Sequence, residues 1–208
     1  MKVTSLALTF ITKPCLNASR KELLSREMAD EFPIVGDVMP AEYFTMAKSM
    51  LGHRIVFGEE DFSLVQESEN VVPDFFSIIK DLSRIDDLLL LDQPKNGIVR
   101  LTAVEDITDD VFEWSINSFL SDLGKAFSNE IDATGVGLRF VIKRDDRWWE
   151  FKIEPRLTNP EQAYYEFVGH VSSMKIDQMV LQMQSIFEDF RNTYVEGIRK
   201  LGLVPGKG

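Results

Sequence analysis

Between residues 136 and 153 two alternating runs meet around Asp145-Asp146 in a single hairpin register, and that agreement constrains the fold more than any other stretch of the chain. Folding there pairs Ile142 with Trp149, Phe140 with Phe151, and Leu138 with Ile153, so the apolar residues coincide on one side. Lys143 with Trp148, Val141 with Glu150, and Arg139 with Lys152 fall on the other. A sheet built this way is antiparallel, with one face in the core and one in water.

The remaining sequence extends that sheet and supplies helices to cover it. Leu6, Leu8 and Phe10 alternate with Ser5, Ala7 and Thr9, which predicts a first strand with one buried face. Ser19 and Glu22 form a capping-box pattern ahead of Leu23, Leu24 and Met28, so a helix is expected there. Pro33, Gly36 and Pro40 read as a loop, and residues 41–51 as a short helix carrying Tyr43, Phe44, Ala47, Met50 and Leu51. Residues 54–57 and 62–66 form a hairpin. Pro73 then opens a helix with Phe75, Ile78, Ile79, Leu82 and Ile85 at helical spacing.

Residues 88–91 fit either a buried strand or the end of that helix, and a strand pair flanking the turn-forming 92–97 segment is the favoured reading. Residues 98–104 are one of those strands. Thr108 caps a helix whose stripe runs through Phe112, Ile116, Phe119, Leu120, Leu123 and Phe127. After the hairpin, residues 163–171 add a third strand to a meander. A helix of about seven turns over 174–201 presents Ile176, Met179, Val180, Met183, Phe187, Phe190, Tyr194, Ile198 and Leu201 on one face and ends at Gly202. These elements define one α+β domain over residues 1–208, in which helices lie on one face of an antiparallel sheet with a C-terminal meander and a long C-terminal helix closes the chain. No repeat period is legible. The order is similar to helix-grip arrangements, although the helices after Pro73 and Thr108 depart from that plan and no family follows from it.

At 208 residues such a domain buries roughly 70% of the surface of its unfolded chain, with 15 Phe supplying much of the packing volume. The single cysteine, Cys15, rules out an intrachain disulfide and suits a reducing cytosol. Lys2 and the apolar run 3–11, interrupted by Lys13 and Pro14, do not make a secretory signal, and no run reaches the ~20 apolar residues of a membrane span. The cytoplasm is the expected location, with no membrane association. A net charge of -11, from 34 acidic and 23 basic side chains, repels phosphate backbones and disfavours nucleic acid as a partner.

Chemistry-bearing motifs are absent from the sequence pattern. His53 and His170 stand alone, outside any metal-ligand spacing. The doublets Asp86-Asp87, Asp109-Asp110 and Asp145-Asp146 suit helix ends and a turn, although acids such as Glu130, Asp132, Glu150 and Glu154 are able to converge only through folding. Gly135-Val136-Gly137 matches the opening of a dinucleotide fingerprint but enters a strand. No catalytic residue, metal ligand or cofactor is therefore expected.

Trp148, aimed outward beside Lys143, is the candidate partner-binding residue. The favoured reading is a non-enzymatic protein-interaction module that binds a protein partner or itself, as a homo-oligomer or as a subunit of a larger assembly. A second is a helix-grip-like protein enclosing an apolar small molecule with Phe140, Phe151, Tyr165, Met179 and Met183. A third is an acidic inhibitor that mimics a polyanion.

Overall fold

The computed structural model describes residues 1–38, 43–49, 52–91, 96–107, 110–144, 147–173 and 175–200. Among these residues, nine antiparallel strands form one sheet: β1 (Lys2–Ile11), β2 (Ile34–Val38), β3 (Tyr43–Ala47), β4 (His53–Phe57), β5 (Asp61–Glu67), β6 (Asn96–Asp106), β7 (Leu138–Arg144), β8 (Arg147–Pro155) and β9 (Gln162–Val171). Their spatial order is β2-β3-β4-β5-β1-β6-β9-β8-β7. The helices are α1 (Ala18–Glu27), α2 (Phe75–Leu89), α3 (Val111–Phe119), α4 (Asp122–Glu130) and α5 (Ile176–Asp189), the last continuing through a π-helical turn, Phe190–Val195, into α6 (Glu196–Lys200). The architecture is the expected α+β one, an antiparallel sheet with a C-terminal meander and a long closing helix.

This order contains a doubling. Strand β1 leads to α1, then to the meander β3-β4-β5, then to α2; strand β6 leads to α3 and α4, then to the meander β7-β8-β9, then to α5. In each half the last meander strand returns beside the first strand, and β1 and β6 pair antiparallel at the centre. With α2 and α5 packed against each other, the halves are related as by a two-fold axis perpendicular to the sheet. The repeat escaped the sequence because it is one of connectivity, and β2 and the split α3–α4 segment interrupt the correspondence.

One core lies between the sheet and its helices. Leu6, Leu8 and Phe10 of β1, Val99, Leu101 and Ala103 of β6, and Tyr165 and Phe167 of β9 are buried in the same cluster as Ile78, Leu82 and Ile85 of α2 and Met179, Met183 and Ile186 of α5. Two glycines bring α5 down onto the strands. A Cβ at Gly97 would lie 2.5 Å from the Met179 methyl and 2.8 Å from that of Met183, and one at Gly169 would lie 3.1 Å from Ile186 Cδ1. Near the chain's far end, buried Glu105 on β6 accepts a hydrogen bond from Tyr165 Oη at 2.9 Å and pairs with Arg199 of α6. Burial, then the Glu105 charge, push the Tyr165 hydroxyl far above its usual range, so it stays a neutral donor.

The hairpin register is the expected one throughout: Leu138 with Ile153, Phe140 with Phe151, Ile142 with Trp149, Val141 with Glu150, Lys143 with Trp148. Elsewhere tertiary pairing overrides local pattern. Residues 34–38, expected in a loop, are edge strand β2, and 43–47, expected in a helix, are β3, which buries Phe44 and Met46 on alternate positions once β2 and β4 flank it. Residues 88 and 89 complete α2, which ends on Leu90 in a left-handed conformation, so no strand pair flanks the 92–97 segment. Asn17 rather than Ser19 caps α1. The stripe predicted from 112 to 127 breaks at Leu120, which is extended, and Ser121 caps a new helix. Asp110, expected in the first turn, caps α3 in place of Thr108, accepting from the Phe112 and Glu113 amides. Asp109, the Asp145-Asp146 turn and Gly202 lie outside the described residues, as do Met174 and Leu201 of the last helix.

The closing helix departs from its predicted register at one point. A π turn admits one extra residue, so Phe190 and Val195, five apart, are both buried, and Ile198 follows on the same side. Phe190 touches the rings of Phe151 and Phe167. Phe190→Ala is expected to cost about 3 to 5 kcal/mol in unfolding free energy, measured by urea titration. Val195→Ala should cost about 1 to 3 kcal/mol, whereas a purely α-helical continuation would make that substitution nearly neutral.

A second measurement follows from His53, the first residue of β4. Burial first, and then the charge of Lys48, lower its imidazole pKa from 6.5 to about 4, although Asp81 opposes them. Lys48 is itself bound to buried Asp81 at 2.7 Å. Because the folded value lies below the unfolded one, the unfolded chain takes up the extra proton, and stability present above about pH 6.5 is lost as pH falls toward 4. The full gap corresponds to at most about 3 kcal/mol, and less for a ring that keeps some water contact. His53→Gln should flatten the pH dependence of the urea midpoint in that window.

Candidate functional site

Alternation along each strand sends half of the side chains away from the core, and among the described residues the packed helices lie on the opposite side. The helix-free face is continuous across β7, β8, β9, β6 and β1. Its registers align Val141, Glu150, Val168, Arg100 and Ala7 in one row and Arg139, Lys152, Glu166, Thr102 and Ser5 in the next.

Charges on this face bind one another. Arg139 pairs with Glu150, Lys152 reaches Glu150 at 3.2 Å and Glu166 at 2.9 Å, and Arg100 lies 3.6 Å from Glu166. The hydrogen bond from Arg139 holds the Glu150 carboxyl below its usual range, and Glu166 and then Glu150 hold Lys152 above its own. Such exposed pairs add little stability individually, but together they order the long side chains into a fixed pattern.

Trp148 stands at the end of this network. It is 58% exposed, Lys143 Nζ lies 5.7 Å from its ring centroid, and two shallow depressions of about 360 and 390 Å³ both reach Trp148 and His170. Val141, also 58% exposed, lines the first and Ile98 the second. Its neighbour in sequence, Trp149, turns to the other side, packing edge-on against Phe167 with Nε1 donating to the His170 carbonyl at 3.3 Å. Trp149 is nevertheless only partly buried, because it sits near the outer end of the sheet.

The residues considered for an apolar ligand lie together on the helix side. Phe151, Tyr165, Met179 and Met183 are buried, and the Phe151 ring meets Phe140, Tyr165, Phe190 and Tyr194 at centroid separations of 5.8 to 6.3 Å. Phe140 alone among them is open to solvent, at 39%.

Among the described residues no group of three or more His, Cys, Asp or Glu is placed to hold a metal ion. Gly135 and Gly137 border a cleft of about 190 Å³ beside Glu154, whose carboxylate repels phosphate. Exposed Cys15 lies in a cleft of about 440 Å³ whose lysines are engaged, Lys13 with Glu60 at 2.8 Å and Lys21 with Asp37 at 2.5 Å. No helix among the described residues is long and apolar enough to cross a membrane.

The hairpin pattern in the sequence anticipated the pairing of Lys143 with Trp148 and the exposure of Trp148, but not the charge network, which needs the β6–β9 and β8–β9 registers as well as the hairpin. It also placed Leu123 and Phe127 on a buried stripe; with α4 separated from α3, they are 82% and 60% exposed. No protein-family model matches the chain, and no curated protein is significantly similar to it.

The opposed orientations of the two tryptophans have separable consequences. Trp149→Ala should destabilise the protein by about 2 to 4 kcal/mol, and Trp148→Ala by less than about 1 kcal/mol, as read from thermal and urea unfolding.

Proposed function

We propose that this protein is a non-enzymatic protein-interaction module that binds a protein partner through the helix-free face at the β7–β9 end of the sheet, with Trp148 as the anchor. The observation that carries the reading is an exposed tryptophan fixed by a lysine over its ring and bordered by two depressions on a face that no described helix covers. Aromatic side chains dominate interface energetics because they bury a large area while losing little conformational freedom. Around Trp148, Val141 and Ile98 supply the apolar centre and the Arg139–Glu150–Lys152–Glu166 array a polar rim, the usual anatomy of a protein interface.

The acidic balance of the chain contributes to solubility and to discrimination among partners rather than to catalysis. Quantitative affinity capture from the source cell, comparing wild type with Trp148→Ala at matched stability, tests this reading. A partner retained by wild type should be depleted by about tenfold or more on the variant. Equal retention on both proteins would overturn the assignment of the face. If the partner is a second copy, sedimentation equilibrium should show an association that the same substitution weakens.

A further inference from the structure

Strand β7 ends the sheet, and its composition defines what can pair with it. Its register with β8 closes at Arg144 opposite Arg147, with two residues between them in sequence, so the hydrogen-bonded pairs on the β8 side fall at 144, 142, 140 and 138. The backbone N–H and C=O groups of Arg139, Val141 and Lys143 therefore point away from β8. Among the described residues no strand meets them. Such a row is a template for one more strand.

Side chains on the two faces of β7 set the requirements for that strand. On the helix-free face stand Arg139, Val141 and Lys143, followed around the edge by Trp148. Lys143 makes no ion pair among the described residues, and Arg139 remains largely exposed despite its bond to Glu150. The seven residues of β7 carry three cations and no acid, in a chain whose net charge is -11. On the opposite face Phe140, 39% exposed, stacks on Phe151 and leaves its outer side uncovered. A second copy of β7 fits poorly, because the antiparallel register that overlaps the whole strand sets Arg139 against Lys143 of the other copy, and like charges directly opposite repel.

We propose that β7 accepts an extended segment of a partner protein as a tenth strand, and that this segment alternates acidic and apolar residues. Its acids lie beside Arg139 and Lys143 next to Trp148, and its apolar residues cover Phe140 on the other side. The proposal rests on the reading of the Trp148 face as a protein-binding site and gives that site its partner chemistry. Main-chain hydrogen bonds to residues 139, 141 and 143 supply the affinity, and the cations select the sign of the partner.

The test uses the full chain and two synthetic peptides of about nine residues, one alternating Glu with Val and the other alternating Lys with Val, with length chosen to match a typical strand. Binding is followed by the amide hydrogen exchange of Arg139, Val141 and Lys143 and by tryptophan fluorescence. The Glu peptide is expected to bind and protect all three amides, and the Lys peptide to bind at least about tenfold more weakly. Val141→Pro removes an outward N–H at an edge position that tolerates proline, and it should abolish binding of the Glu peptide without disturbing the thermal transition. If that variant unfolds, Arg139→Glu with Lys143→Glu takes its place and should invert the peptide preference.

Absence of Glu-peptide binding up to about 1 mM, or binding insensitive to Val141→Pro in a folded variant, would sink the tenth-strand proposal. Equal affinity for both peptides would do the same, as would a β7-mediated homodimer or displacement of the Glu peptide by duplex DNA. None of these bears on partner capture through Trp148. Conversely, loss of the Trp148-dependent partner with peptide binding intact would remove the broader reading alone.

Discussion

The pairing of β1 with β6 is the constraint on which the rest of the molecule depends. Nine residue pairs span that junction, and every other strand is added outward from it by antiparallel neighbours. Leu6, Leu8, Val99 and Leu101 project from the joined strands into the core cluster that also holds the buried residues of α2 and α5. Without this pair, two meanders would each expose an edge, and the contact of α2 with α5 would be lost. Gly97, at the end of β6, adds the local condition that lets the Met179 and Met183 side chains settle against the sheet.

Because the buried helix stripes face one side of the sheet, that side is a conventional core, and the opposite side has to solve a different problem. A large β surface in water needs polar side chains to remain soluble, and here the interlocked charges of β6, β8 and β9 meet that need. Trp148 and Val141 run against the trend at one end. The contrast between an ordered ionic surface and an adjoining exposed aromatic makes this end of the molecule chemically distinct from the half built on β2–β5.

Much of the architecture was legible because hydrophobic alternation and burial agree within single elements, as in the 138–153 hairpin, α2 and the closing helix. Where the deciding partners are distant in sequence, local pattern misled. Phe44 and Met46 look compatible with a helix until β2 and β4 flank them, and Val35 reads as a loop residue until it pairs with Met46. The break between α3 and α4 did have a local sign in Ser121-Asp122, overshadowed by an apolar spacing that continues past it. For the candidate site, the hairpin register alone exposed Trp148, whereas the Arg100–Glu166 and Lys152–Glu166 contacts require strands far apart in the chain. Val195 was hidden for another reason: a π turn shifts the period of the helix, and a fixed helical spacing cannot anticipate it.

The two-fold relation between the halves also bears on how often one chain repeats a given surface. Two identical chains joined by an axis of this kind present every surface twice and assemble only above a dissociation constant, whereas covalent linkage replaces encounter between molecules with closure of a loop. Linkage also releases each half from having to match the other. One half here carries Trp148 and a cationic edge strand, while the other ends in the short strand β2, with Gly36 at its centre and no tryptophan. The doubled framework therefore differs at its two ends, one edged by the cationic β7 and the other by the short β2.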